Sequence, residues 1–209
     1  MTKRTPLAFL IVWVCFLLLA ALLSPSPGRA SGGSNLLQNP GFEEGTIPWL
    51  SSPSAATFVV TDTAEYVHSG IWAASLNKEG GAVPIYIYQD VPVVGGGYYT
   101  LSGWVYNYKD SPIGDWAMLR IDWRNSQGSL FTVDSQKLYG DEPGYHERRI
   151  PYDGGDSVQA PAAATIARIK CMAYIQEADP ETPVFFDELS FTFQGSNWRV
   201  YLPLVVKNY

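Results

Sequence analysis

Along most of the chain apolar and polar residues alternate with a period of two, in short runs divided by Gly, Pro, Asn and Asp. This is the pattern of half-buried β-strands. It predicts strands at 35–39, 56–61, 72–77, 84–91, 98–108, 117–124, 130–138, 145–152, 165–176 and 184–193. Turns are expected at Asn39-Pro40-Gly41, Ser69-Gly70, Gly95-Gly96-Gly97, Ser111-Pro112, Gln127-Gly128, 140–144 and Asp153-Gly154-Gly155-Asp156. No helical period of any length and no internal repeat interrupts the series. Many short strands with regular turns indicate a sandwich or barrel.

Successive side chains of a strand point to opposite faces, so three strands can be assigned an inside and an outside. Leu119, Ile121 and Trp123 share one face, against Trp116, Met118, Arg120 and Asp122. Ala167, Ile169, Cys171, Ala173 and Ile175 form an unbroken apolar face, against Arg168, Lys170, Met172, Tyr174 and Gln176. Tyr99, Leu101, Gly103 and Val105 lie together against Ser102, Trp104, Tyr106 and Tyr108. The first set of each strand is core. If the three strands are neighbours in one sheet, the second sets make a broad surface of Trp, Tyr, Arg, Asp and Gln.

The N-terminus departs from this pattern. Lys3 and Arg4 precede an uncharged apolar run from Leu7 to Leu23. Prolines end it, and Gly28-Arg29-Ala30 puts small residues at −3 and −1 of a cleavage site. These are the parts of a secretory signal peptide at 1–30, cut after Ala30. As an uncleaved anchor the run would sit at the short limit of about 17–25 residues for a spanning helix. The organisation read from the sequence is then a signal peptide at 1–30, a polar linker at 31–34, one β domain at 35–194 and a tail at 195–209. The protein is expected to be secreted or on the cell surface, with no membrane association after cleavage.

Composition narrows the chemistry. Beyond Ala30 eleven basic residues face 20 acidic ones, a net charge of −9. That charge is repelled by phosphate backbones, which argues against nucleic-acid binding. Cys171 is the single cysteine of this part, so no internal disulfide forms, and its place in an alternating run makes it core. His68 and His146 are the two histidines and have no zinc-ligand spacing. No Gly-x-Ser-x-Gly, phosphate-binding glycine loop or His-Glu-x-x-His is present, and no carboxylate sits in a catalytic motif, so no enzymatic activity is expected. Seven Trp, 13 Tyr and nine Phe make the chain aromatic-rich.

Several segments resemble carbohydrate-binding modules of the family 4, 9 and 22 (CenC-like) group. Asn35-Leu-Leu-Gln-Asn39-Pro-Gly-Phe42-Glu43 is similar to their opening, followed by Trp49 and by His68-Ser69-Gly70 leading into Ala73-Ala74-Ser75-Leu76. Ile87-Tyr88-Gln89-Asp90-Val91, a glycine-rich turn and Tyr99 to Val105 resemble the middle signature. Phe185-Phe186-Asp187-Glu188-Leu189-Ser190-Phe191 resembles the closing strand. Gly103 departs from the pattern, which usually has a bulky residue there. Residues 126–164 match only loosely, and binding loops are expected among them.

The resemblance implies an all-β, galactose-binding-like jelly-roll sandwich of two antiparallel sheets. It implies non-catalytic binding of a polysaccharide on the concave sheet, with Trp104, Tyr106, Trp116, Arg120, Asp122, Arg168 and Tyr174 as ligand-binding candidates and Tyr86 or Tyr88 at the margin. It also implies a structural calcium ion held by Glu43 and Asp187, with carbonyls near Gly41 and Ser69. The alternative is a cell-envelope or adhesion protein that uses the sandwich to bind a protein partner. The tail Trp198 to Tyr209 reads either as a sorting segment or as an edge strand.

Overall fold

The computed structural model describes residues 33–52, 56–78, 83–107, 115–140, 142, 144–175 and 183–196. The expected signal peptide and all but the start of the tail lie outside these residues.

Twelve strands and one short 3₁₀ turn (Ala64–Tyr66) make up the described fold. They are β1 (Leu50–Ser52), β2 (Ala56–Thr61), β3 (Ala73–Lys78), β4 (Pro84–Pro92), β5 (Gly97–Tyr106), β6 (Trp116–Asn125), β7 (Gly128–Asp134), β8 (Leu138–Tyr139), β9 (Tyr145–Ile150), β10 (Val158–Gln159), β11 (Ile166–Tyr174) and β12 (Val184–Ser196). All pairings are antiparallel. One sheet runs β1-β4-β11-β6-β7, with β8 also on β6. The other runs β10-β5-β12-β3-β2, with β9 also on β5. This is a jelly-roll β-sandwich.

The alternation read from the sequence builds the core. Leu119, Ile121 and Trp123 of β6, Ala167, Ile169, Cys171 and Ala173 of β11, and Tyr99, Leu101 and Val105 of β5 are all buried between the sheets, joined by Ile85, Ile87, Phe186 and Phe191. The Cys171 thiol is pushed up by burial, in keeping with a packing role.

Two expected strands change. Residues 35–39 form no strand. Asn35 makes one bridge to Thr192, while its Oδ1 accepts the Phe191 and Leu37 amides and its Nδ2 donates to the Leu189 carbonyl. A side chain thus does the work of a ladder. The expected strand 130–138 is cut after Asp134, because Ser135 turns to β6: its amide donates to the Leu119 carbonyl and its hydroxyl accepts the Leu119 amide, both at 3.0 Å. β1 and β10 lacked enough alternation to be seen in the sequence.

Candidate functional site

Strand register sets out the outer face of the first sheet row by row. Pro84, Tyr174, Trp116 and Tyr139 lie across it in one row, and Tyr86, Met172 and Met118 in the next. Then come Tyr88, Lys170, Arg120 and Asp134, followed by Asp90, Arg168, Asp122 and Thr132. The face therefore has an aromatic end and a charged end.

At the aromatic end Trp116 and Tyr174 stack with centroids 5.7 Å apart and planes 8° from parallel. Lys137 Nζ lies 4.2 Å from the centre of the Trp116 ring. β8 and β11 flank β6 on opposite sides. Met118 and Met172 are buried between the taller side chains and form the floor. Tyr86 and Tyr88 stand 6.0 Å apart on β4, with Lys170 Nζ 4.7 Å from the first ring and the Arg168 guanidinium 4.1 Å from the second.

At the charged end every cation has a carboxylate. Arg168 donates to both oxygens of Asp90 at 2.7 and 2.8 Å, and Arg120 to both of Asp134 at 2.5 and 2.7 Å. Such forks hold guanidinium and carboxylate in one geometry. Asp122 sits between them at 3% exposure. It accepts from the Ser129 hydroxyl and from Arg124 at 3.0 Å, with Lys170 Nζ at 3.3 Å. Burial works against its ionisation, but these partners outweigh burial and hold the carboxyl below its ordinary value.

Trp116, Arg120, Asp122, Arg168 and Tyr174, five of the sequence candidates, thus share one face with Tyr86 and Tyr88. Trp104 and Tyr106 do not. They lie on β5, in the other sheet, which corrects the expectation of a single surface. Trp104 stacks on His68 at 4.0 Å. Tyr106 is 9% exposed and packs against Tyr66, Tyr145 and Phe185. Alternation tells which residues of a strand share a face, but not which strands share a sheet. Lys137, Asp134, Tyr139 and Asp90 were missed as site residues. The alternation Tyr86-x-Tyr88-x-Asp90 was the available signal for the last, while Asp134, Lys137 and Tyr139 reach the face through β7 and β8.

The four residues expected around calcium do meet. Asp187 Oδ2 accepts the His68 and Ser69 amides, both at 3.0 Å, and Oδ1 accepts the Glu188 amide at 2.7 Å. Glu43 accepts the Ile71 and Trp72 amides at 3.0 and 3.2 Å. A methyl built on Gly41 would lie 3.8 Å from both Asp187 Oδ1 and Glu43 Cγ, so the two acidic side chains converge on Gly41. Asp187 is fully buried. Burial pushes its carboxyl above the ordinary value, and the three amide donors offset only part of that rise. Among the described residues no group of three or more His, Cys, Asp or Glu is placed to hold a metal. Backbone amides already donate to both carboxylates, and Ser69 faces Asp187 with its N–H rather than the expected carbonyl, so a calcium ion would need most of its six to eight oxygens from other carbonyls and water.

No protein-family model and no curated protein sequence matches the chain. Solved structures share its fold. The xylan-binding domain of carbohydrate-binding family 22 superposes with a TM-score of 0.58 at 10% identity, covering 78% of this chain and 97% of that one. The module TmCBM61, solved with β-1,4-galactotriose, gives 0.51 at 17% identity over 75% and 97%. The enzymatically active domain of tailspike protein 4 from bacteriophage CBA120 gives 0.57 at 12% identity. There 76% of this chain matches 21% of that chain, so this chain spans about a fifth of it.

Proposed function

We propose that the protein is a non-catalytic carbohydrate-binding module that grips a polysaccharide on the outer face of β4, β11, β6 and β7. The observation that carries this reading is the meeting of an aromatic row, Tyr174, Trp116 and Tyr139, with hydrogen-bonding groups held rigid by ion pairs on the same face. A sugar ring offers an apolar face of C–H bonds that stacks on Trp or Tyr, and hydroxyls that need both donors and acceptors. Trp116 and Tyr174 supply the rings. Arg120, Arg168 and the half-exposed carboxylates of Asp90 and Asp134 supply donors and acceptors, and buried Asp122 fixes Lys170 and Arg124 in place. Pre-paired side chains lose little freedom on binding.

The shared fold with a xylan-binding domain and a galactotriose-binding module supports this class of ligand. Trp104 and Tyr106, in the other sheet, do not touch the same sugar chain. A structural calcium ion between Glu43 and Asp187 is a separate part of the proposal.

Affinity electrophoresis in gels containing xylan, galactan, laminarin or mixed β-glucan tests the reading. At least one should retard the chain, and Trp116→Ala should abolish that retardation at unchanged melting temperature. No retardation by any of the four, or retardation that survives Trp116→Ala, would remove it.

A further inference from the structure

A cavity of about 420 Å³ opens at the β9 edge of the second sheet. It forms where the partner of β5 changes. β9 pairs with β5 from Tyr106 to Leu101, and β10 takes over at Tyr99 and Tyr98. Between them residues 151–157 arch outward. Asp153 Oδ1 accepts the Gly155 amide at 3.2 Å, an Asx turn that needs the positive φ (84°) of Gly154.

Thr100 and Ser102 line the cavity from β5, Arg149 from β9, Gln136 from the segment between β7 and β8, and Tyr152 and Asp156 from the arch. The side chains of Ser102, Gln136, Tyr152 and Asp156 make no hydrogen bond to another described residue. Arg149 has only a loose pair with Glu147 at 3.7 Å. The lining thus holds unused donors and acceptors beside a tyrosine that is 60% exposed. Its charges cancel, Arg148 and Arg149 against Glu147 and Asp156.

We infer that this edge cavity is a second sugar site, specific for one or two rings of a neutral saccharide. Tyr152 stacks on the apolar face of the ring. Neighbouring hydroxyls of the sugar donate to Asp156 and accept from Arg149, with Ser102 and Gln136 completing the set. With two cations and two carboxylates in its lining, the cavity offers an anionic ligand no net attraction. The volume falls within the roughly 300–1,000 Å³ of small-molecule sites. The arch closes one side of the cavity, which suits a chain end or a side branch, whereas the open face of the first sheet suits the middle of a chain.

The test is an NMR titration of the chain with glucose, galactose, xylose, mannose and glucuronate. At least one neutral sugar should move the amide signals of Thr100 to Ser102 and of residues 151–157. Its affinity should fall about tenfold or more in Tyr152→Ala, the loss expected for one stacking contact, and in Asp156→Asn. Tyr152→Phe, which keeps the ring, should retain most of it. Glucuronate should bind no more tightly than that sugar. No response at these amides to any neutral sugar, full affinity in Tyr152→Ala, or tighter binding of glucuronate than of every neutral sugar would overturn the inference. The signals of Trp116 and Tyr174 report the first-sheet face separately, so failure of either site is read without the other.

Discussion

Asp122 keeps its charge at 3% exposure because Ser129, Arg124 and Lys170 surround it. Its carboxyl is held below the ordinary value of 3.8, so its folded pKa is lower than its unfolded one. It therefore contributes stability at pH values above 3.8 and loses that contribution as pH falls through its folded value. Asp122→Asn should flatten the fall in stability on acidification below that point, measured by urea unfolding across pH. At neutral pH the variant should be less stable by about 1–3 kcal/mol, since Lys170 and Arg124 lose a buried partner. Gly103 is the other informative residue. A methyl placed there would come within 2.3 Å of Leu189 Cδ2 and 3.4 Å of Leu119 Cδ1. Buried Leu189 already fills the space beside position 103. Gly103→Ala should cost about 1–3 kcal/mol by overpacking, read as a shift in the urea midpoint.

Among the elements, β12 does the most to join the ends of the domain. Its pairing with β5 shifts register between Asp187 and Ser190, and Glu188 takes a positive φ of 47°. The irregularity frees backbone groups that the N-terminal segment uses: the Leu189 amide donates to the Pro40 carbonyl, and Asn35 bonds the Leu189 carbonyl and the Phe191 amide. Asp187 points from the same irregularity into the loop of His68 and Ser69. If calcium is bound here, it relieves the cost of burying the Asp187 charge, and its removal returns that cost. EDTA should then lower the melting temperature by several degrees, and added calcium in excess should restore it. A melting temperature indifferent to EDTA would mean that the amide donors alone hold the junction.

At the scale of the molecule, the two sheets turn different chemistry outward. The first carries aromatic rings and paired charges over an open surface. The second packs Trp104, His68, Tyr145 and Tyr106 against one another and opens a polar cavity at its β9 edge. A chain of net charge −6 thus gathers Arg120, Arg124, Arg168, Lys170 and Lys137 on one face. Acidic partners among them consume most of that charge, which leaves a surface suited to hydroxyls more than to anions. A polysaccharide bound on the first sheet and a sugar ring at the β9 edge would meet different sets of side chains.

Local pattern was sufficient for most of the strands and for the inner faces of β5, β6 and β11. A period of two states which side chains of a strand lie together, and an unbroken apolar set such as Ala167, Ile169, Cys171 and Ala173 has only the core to go to. The same pattern marked Trp116, Arg120, Asp122, Arg168 and Tyr174 as outward, and it marked Asp153-Gly154-Gly155 as a turn. Sheet membership was beyond it, because hydrogen bonds between strands are made by backbone groups that every residue carries. Only the tertiary structure could put β5 beside β12 and β9, and so take Trp104 and Tyr106 away from Trp116. The same is true of the ion pairs, which join residues as far apart as Asp90 and Arg168, and of the cavity, which exists because β5 changes partner from β9 to β10.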